Sequence, residues 1–352
     1  MGADRPRTSS MPTPWPGLMV VAAIAGVGWA AAALLQRGPG PLPSLPASPM
    51  VLAIMLGLGL ADQARQKPHW NPGLDLARGL LLKTAVALIG LRLSLGEVWL
   101  LGGQALPLVV IAIAVGLAVS LGLYRLLATP VRLAGLLAVG TAICGASAIA
   151  ALAPAIRASH AETCYAIACI ALFGLVATLA YPLLLPLWLS DPAQVGLVIG
   201  SAIHDTAQVT AAASAHEQIW TLSGTLDAAT VTKLLRNSAM IVVIPVAAWL
   251  IVGRQRGQRV PFPRFILAFL ALAGLRSLID ALGAGDAALW RIALQAADEL
   301  SQFLFAMAMA ALAMAIRPRD LKPLGWRPAL GAGVAAVAML AASGGWVAQR
   351  VG

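Results

Sequence analysis

The sequence predicts an all-α integral membrane protein of about eleven transmembrane helices, one N-terminal helix followed by two inverted five-span repeats. Three observations predict it. Of the 352 residues, 60% are hydrophobic and only 11% charged, against about 25% charged in ordinary soluble domains. The apolar residues fall into eleven runs separated by short polar or proline-bearing stretches. Lysine and arginine collect mainly in alternate connections, which is how the cytoplasmic side of a membrane protein is marked. The net charge of +10 is therefore a matter of topology and no argument for a nucleic-acid partner.

Taken in order, residues 1–16 are polar, carry Arg5 and Arg7, and read as a cytoplasmic tail. Gly17–Gln36 is the first span. A run of about 20 apolar residues is long for a signal-peptide core, and no small-x-small site follows Leu35. Arg37–Pro49 (R-G-P-G-P-L-P-S-L-P-A-S-P) is a linker that its prolines keep from being helical throughout. Ten further spans follow: Met50–Asp62, Gly79–Leu95, Ala105–Ala128, Leu133–Ala155, Thr163–Leu189, Ala193–Ser214, Ala228–Val252, Phe265–Leu282, Ala296–Ile316 and Ala329–Val347. Trp15, Trp70, Trp99, Trp188, Trp220, Trp249, Trp326 and Trp346 stand near span ends, as an interfacial belt requires. Counted by loop, with Arg125 at the end of its span taken with the connection that follows, one side holds 15 Lys and Arg and the other 4, and Lys83, Arg92, Lys233, Arg236 and Arg276 lie inside spans. That bias places the N-terminus in the cytoplasm and, with eleven spans, the C-terminus outside.

A duplication underlies the spans. V-L-A-I-M-L-G-L-G-L-A-D (51–62) aligns with Q-V-G-L-V-I-G-S-A-I-H-D (194–205), pairing Gly57 with Gly200 and Asp62 with Asp205. L-L-K-T-A (81–85) aligns with L-L-R-N-S (234–238), pairing Lys83 with Arg236. Units of five spans cross in opposite senses, the plan of many secondary transporters. The chain divides into tail, first helix and linker (1–49), a first repeat (50–192) and a second repeat (193–352).

Polar residues inside the spans mark where chemistry resides, because a charge at mid-membrane costs at least ~2.5–3.5 kcal/mol unless it faces a cavity or a partner. In V-G-L-V-I-G-S-A-I-H-D-T-A-Q-V-T-A-A-A (195–213), Ser201, His204, Asp205 and Gln208 fall on one helical arc. Asp205 needs a proton, a cation or a basic partner, and Arg236 in the next span is the nearest plausible partner. His204 is either a packed core histidine or a proton relay beside Asp205. In V-G-T-A-I-C-G-A-S-A (139–148), Gly145 and its neighbours Thr141, Cys144 and Ser147 permit two readings. They are small residues for close helix packing, or an interrupted helix whose freed backbone groups bind substrate or ions. T-K-L-L-R-N (232–237) puts Lys233, Arg236 and Asn237 on one arc, where the long cations either snorkel or serve an anionic solute. Cys164 and Cys169 read as buried small hydrophobes, and with Cys144 they form no CxxC pair. No HExxH, GxSxG or Walker motif is present, and His69, His160, His204 and His216 are too dispersed to suggest a metal site.

G-T-A-I-C-G-A-S-A-I-A-A (140–151), G-S-A-I-H-D-T-A-Q-V (200–209), T-K-L-L-R-N (232–237), and L-I-G-L-R-L-S (88–94) with A-M-A-M-A-A-L (306–312) resemble the YeiH-type family of proposed sulfate exporters. The resemblance runs from Val20 to Val347. It implies a bacterial inner-membrane carrier related to bile-acid/sodium symporter-like proteins, with broken, crossing helices in a core bundle. It implies export of sulfate or a related sulfur oxyanion or sulfonate.

The reading that follows is a secondary transporter and not an enzyme. It needs no cofactor, draws on a Na+ or H+ gradient or on the solute's own gradient, and allows a homodimer in the bilayer. The expected site comprises Thr141, Cys144, Gly145, Ser147, Ser201, His204, Asp205, Gln208, Lys233, Arg236, Asn237 and Lys83. The alternatives are a sodium- or proton-coupled importer of an organic anion, or a membrane-embedded enzyme using His204, Asp205 and Cys144.

Overall fold

The structure is a computed structural model that describes residues 13–37, 48–253, 264–283, 285, 287–315 and 325–350. The polar tail, most of the proline linker and the Arg254–Arg259 loop lie outside the described residues. All regular structure among the described residues is helical. The chain runs through α1 (Trp15–Arg37), α2 (Pro49–Gly59), α3 (Ala61–Gln66), α4 (Asn71–Leu76), α5 (Leu82–Ile89), α6 (Leu95–Leu126), α7 (Val131–Ala142) and α8 (Ala146–Ala155). It continues through α9 (His160–Leu184), α10 (Pro192–Ala202), α11 (Thr206–Trp220), α12 (Thr225–Ser238), α13 (Met240–Val252), α14 (Arg264–Ala281), α15 (Ala288–Ala315) and α16 (Arg327–Ala348).

Six stretches are each long and apolar enough to cross a membrane: Trp15–Leu35, Leu95–Leu126, His160–Leu187, Thr225–Val252, Ala288–Ala315 and Arg327–Ala348. Local sequence sets where they start. Ser94 and Glu97 form a capping box on α6, and Ser159 and Glu162 form another on α9, each satisfying two N–H groups that the first turn would leave bare. Large apolar side chains such as Leu106, Val110, Val242, Trp249 and Leu289 point outward. Such a surface suits lipid and would be untenable in water.

The fifth and seventh apolar segments do not run from one end of the bundle to the other. Tyr124, at the end of α6, packs against Gly331 at the start of α16. Tyr165, at the start of α9, donates from its hydroxyl to the Gly325 carbonyl (2.6 Å) and accepts from the Ala329 N–H (3.1 Å). The end of α6 and the start of α9 therefore share one end of the molecule, the Tyr165 end. Between them α7 rises, turns at Ile143–Gly145, and α8 returns, so that Gly140 faces Ile149 across the hairpin. The second hairpin enters from the opposite end. Gly196 and Gly200 of α10 abut Thr225 and Ala229 of α12 as both descend. After Ile203–Asp205, α11 climbs back until Glu217 accepts from the Leu226 N–H (2.9 Å) and the Trp220 indole donates to the Pro182 carbonyl (2.9 Å).

The expected plan of eleven crossings and two five-span repeats is not confirmed by the described helices. Among the described residues six helices are long and apolar enough to cross a membrane, and the fifth and seventh apolar segments turn back on themselves. The residues matched by the duplication also occupy unlike places. Asp62 is exposed and paired with Arg65 (3.2 Å), whereas Asp205 sits at a hairpin tip. Lys83 is exposed, whereas Arg236 is fully buried. The local likeness lies in apolar and glycine positions, which helix packing dictates wherever it occurs.

Candidate functional site

The two hairpin tips meet. A Cβ on Gly145 would lie 3.5 Å from the Asp205 Cβ. Both tips end a helix and begin another, and the two kinds of helix end face different surroundings. The carbonyl ends of α7 and α10 point at α12, into the buried interior, where each bare carbonyl would cost about 1–3 kcal/mol. Lys233 and Arg236, both 0% exposed, supply the missing donors. The Lys233 ammonium donates to Ile143 O (3.0 Å), Ile203 O (2.9 Å) and His204 O. The Arg236 guanidinium donates to Ala142 O (2.9 Å), Ser201 O (2.8 Å), Ile203 O (2.8 Å) and Thr141 O. Each cation also sits at the negative end of two helix dipoles, worth about 0.3–1 kcal/mol per helix end. Their shared burial is explained by the backbone they satisfy.

The expected Arg236–Asp205 pair does not form. The guanidinium is committed to carbonyls, and Asp205 instead caps α11 by accepting from the Ala207 N–H (2.9 Å). Because the helix breaks at Ile203–Asp205, the expected arc of Ser201, His204, Asp205 and Gln208 is broken too. The Ser201 hydroxyl turns back to Leu197 O (2.7 Å), and Gln208 donates to Ala171 O (2.9 Å) on α9. His204 is 1% exposed, and neither ring nitrogen has a hydrogen-bond partner among the described residues. Thr141 is buried and its hydroxyl oxygen is likewise unpartnered.

The amide ends of α8 and α11 border a cavity of about 610 Å³ lined by Lys83, Cys144, Ser147, Thr206, Asn237 and Arg264 on its polar side and by Ala150, Ala151, Met240 and Phe265 on its apolar side. Two lining side chains are cationic and none is acidic. Gly145 leaves α8 without a side-chain cap, so its first N–H groups keep their capacity to bind an anion. Asn237 donates to the Thr206 hydroxyl (3.1 Å), while its own carbonyl oxygen is buried and unpartnered. Cys144 contacts the Met240 sulfur at 3.2 Å, and Cys169 is buried as expected, but Cys164 is exposed beside His160.

Of the twelve expected residues, Gly145, His204 and Asp205 stand at the tips, Thr141 is buried just before the first tip, and the other eight separate into three groups. Lys233 and Arg236 tie the tips together. Lys83, Cys144, Ser147 and Asn237 line the cavity. Ser201 and Gln208 serve local packing. Thr206, inside the expected Ser201–Gln208 stretch, also lines the cavity, and Arg264 joins it without having been expected. Arg264 was hidden in a proline-flanked stretch, P-F-P-R-F, between two spans. The second helix break was also missed, although Asp205 with Gln208 three residues on is a helix-start signal.

Residues 16–332 match the family described as conserved hypothetical protein 698. This chain belongs to that family. A UPF0324 membrane protein of Streptococcus pyogenes serotype M3 is 35% identical over 275 residues, covering 75% of this chain and 78% of its own length. A UPF0324 membrane protein of Bradyrhizobium diazoefficiens is 34% identical over 325 residues, 89% of this chain and 86% of its own. A third, from Streptococcus pneumoniae serotype 4, is 35% identical over 273 residues, 75% and 78% of the two chains. No solved structure matches the chain. The family membership and the apolar helices make this a multi-pass membrane protein.

Proposed function

We propose that the protein is a secondary transporter that moves a small anion, of the sulfate and sulfur-oxyanion class, out of the cell by alternating access. The observation that carries this reading is the cavity beside the touching hairpin tips. It offers two cations, hydroxyl groups and a bare helix N-terminus, and its lining has no carboxylate. In this reading Lys83 and Arg264 attract the anion, while Ser147, Thr206 and Asn237 orient it. Lys233 and Arg236 keep the tips in register, and His204 and Asp205 carry any coupled proton. Two hairpins entering from opposite ends give each face of the membrane its own movable barrier.

Topology supports the assignment of sides. With both hairpins re-entrant, Arg157 joins the basic end and the Lys/Arg count of 15 against 4 becomes 16 against 3. In this reading the chain crosses nine times, with the N-terminus in the cytoplasm and the C-terminus in the periplasm. Ser277 of α14 bonds the Leu95 N–H (2.8 Å) at the end opposite Tyr165, so Arg264 opens α14 at the Tyr165 end, which in this reading is the cytoplasmic one, with the cavity facing inward.

The apolar wall of Met240, Phe265, Ala150 and Ala151 favours a second reading, in which the anion carries an organic group, as sulfonates and small carboxylates do, and travels inward with a cation. A melting-temperature screen of purified protein against sulfate, sulfite, thiosulfate, sulfonates and carboxylates tests both. The bound anion should stabilise the wild type, and the shift should vanish in Lys83→Met and Arg264→Met. A shift that survives both substitutions places the anion elsewhere.

A further inference from the structure

We propose that the ammonium of Lys233 is a resident cation, seated in a carbonyl cradle equivalent to those that other carriers leave open for a free monovalent ion. Its three ligands, the carbonyl oxygens of Ile143, Ile203 and His204, all come from the unwound tips of the two hairpins. Unwound carbonyls and half-helix C-terminal ends are the groups that coordinate a coupling cation in broken-helix transporters. Three acceptors match the three N–H bonds of a charged ammonium, whereas a neutral amine has only two. The side chain is wholly buried, and the carboxylate of Asp205 is engaged with the Ala207 N–H. The direct partners of the ammonium are therefore carbonyl oxygens alone, with the Asp205 carboxylate a counter-charge at the same tip that it does not touch. Arg236 shares the Ile203 carbonyl, so the cradle already accommodates one positive charge beside a guanidinium, and a sodium ion in place of the ammonium keeps that balance.

Two consequences follow. The cradle itself is a cation site closed by a covalently attached occupant. On the transport reading above, solute movement then has no need of sodium at the hairpin tips, which leaves the proton or the solute gradient to drive it.

The test compares wild type, Lys233→Ala and Lys233→Met, purified in sodium, potassium or choline chloride at one ionic strength. Wild type should melt at the same temperature in all three salts. Lys233→Ala should melt several degrees lower in choline and recover saturably in sodium, because truncation opens the cradle. Lys233→Met should be lowered equally and not recover, because its side chain still fills the space. Sodium stabilisation of the wild type, or an equal response of the Ala and Met variants, would overturn the proposal. Where Lys233→Ala yields no folded protein, the wild type decides: anion counterflow should be the same in sodium and choline, and uptake driven by a sodium gradient defeats the idea. Absence of any flux would defeat the transport reading alone, because the wild-type melting comparison does not depend on it.

Discussion

At the scale of single residues, the site is governed by which backbone groups each side chain satisfies. Asp205 caps α11, and asparagine caps a helix about as well as aspartate. Asp205→Asn should therefore leave the melting temperature nearly unchanged, while Asp205→Ala should cost about 0.5–2 kcal/mol. If Asp205 also carries a coupled proton, the Asn variant should lose the pH dependence of flux, and wild-type flux with a wild-type pH profile in that variant would remove the role. Arg236 stands differently. Its four carbonyl partners lie on both tips, and each orphaned carbonyl costs about 1–3 kcal/mol. Arg236→Met should destabilise by more than ~3 kcal/mol. Arg236→Lys should not restore it, because an ammonium lacks the planar fork; a fully stable Lys variant in a thermal melt would contradict this. The sequence placed Arg236 inside the bundle by its depth in a span. It could not say that the partners are carbonyls, because the helix breaks that free them lie about 30 and 90 residues away.

At the scale of elements, the hairpins depend on glycine at two kinds of position. Gly145 turns the first tip at φ +67°, ψ −125°, a conformation that costs a side chain about 1–3 kcal/mol. Gly145→Ala should lower the melting temperature correspondingly, and an unchanged melt would mean that the tip rearranges freely. Gly200 lets α10 press on α12, where a Cβ would lie 2.6 Å from the Ala229 carbonyl. Gly200→Leu should push the second hairpin off α12 and withdraw the Ser201 and Ile203 carbonyls from Arg236, abolishing flux in protein that still inserts. The first break was legible in the sequence because two glycines flank Thr-Ala-Ile-Cys in an otherwise apolar helix. What the segment does after the break was not legible. A helix that continues and one that turns back share the same local composition. The distinction is made by remote anchors such as Tyr165 on Gly325 and Trp220 on Pro182.

At the scale of the whole molecule, the family, the apolar spans and the charge bias were all readable from the chain, whereas the number of crossings was not. On the proposed topology, two re-entrant segments subtract two crossings and leave the parity of the termini unchanged. Only the connections around Arg157 and Asp191 change sides between eleven crossings and nine. Single cysteines placed at Arg157 and Asp191 in a cysteine-free background decide the matter. Labelling of Arg157→Cys from the cytoplasm and of Asp191→Cys from the periplasm is expected, and the reverse pattern restores eleven crossings.

The central claim is that the cavity at the hairpin tips carries an anion across the membrane, and counterflow in proteoliposomes tests it most directly. Vesicles preloaded with unlabelled anion should accumulate the same labelled anion when they contain wild-type protein, and should fail to do so with Lys83→Met or Arg264→Met. Chemical conversion of the solute without accumulation, or accumulation untouched by those two substitutions, would contradict the account.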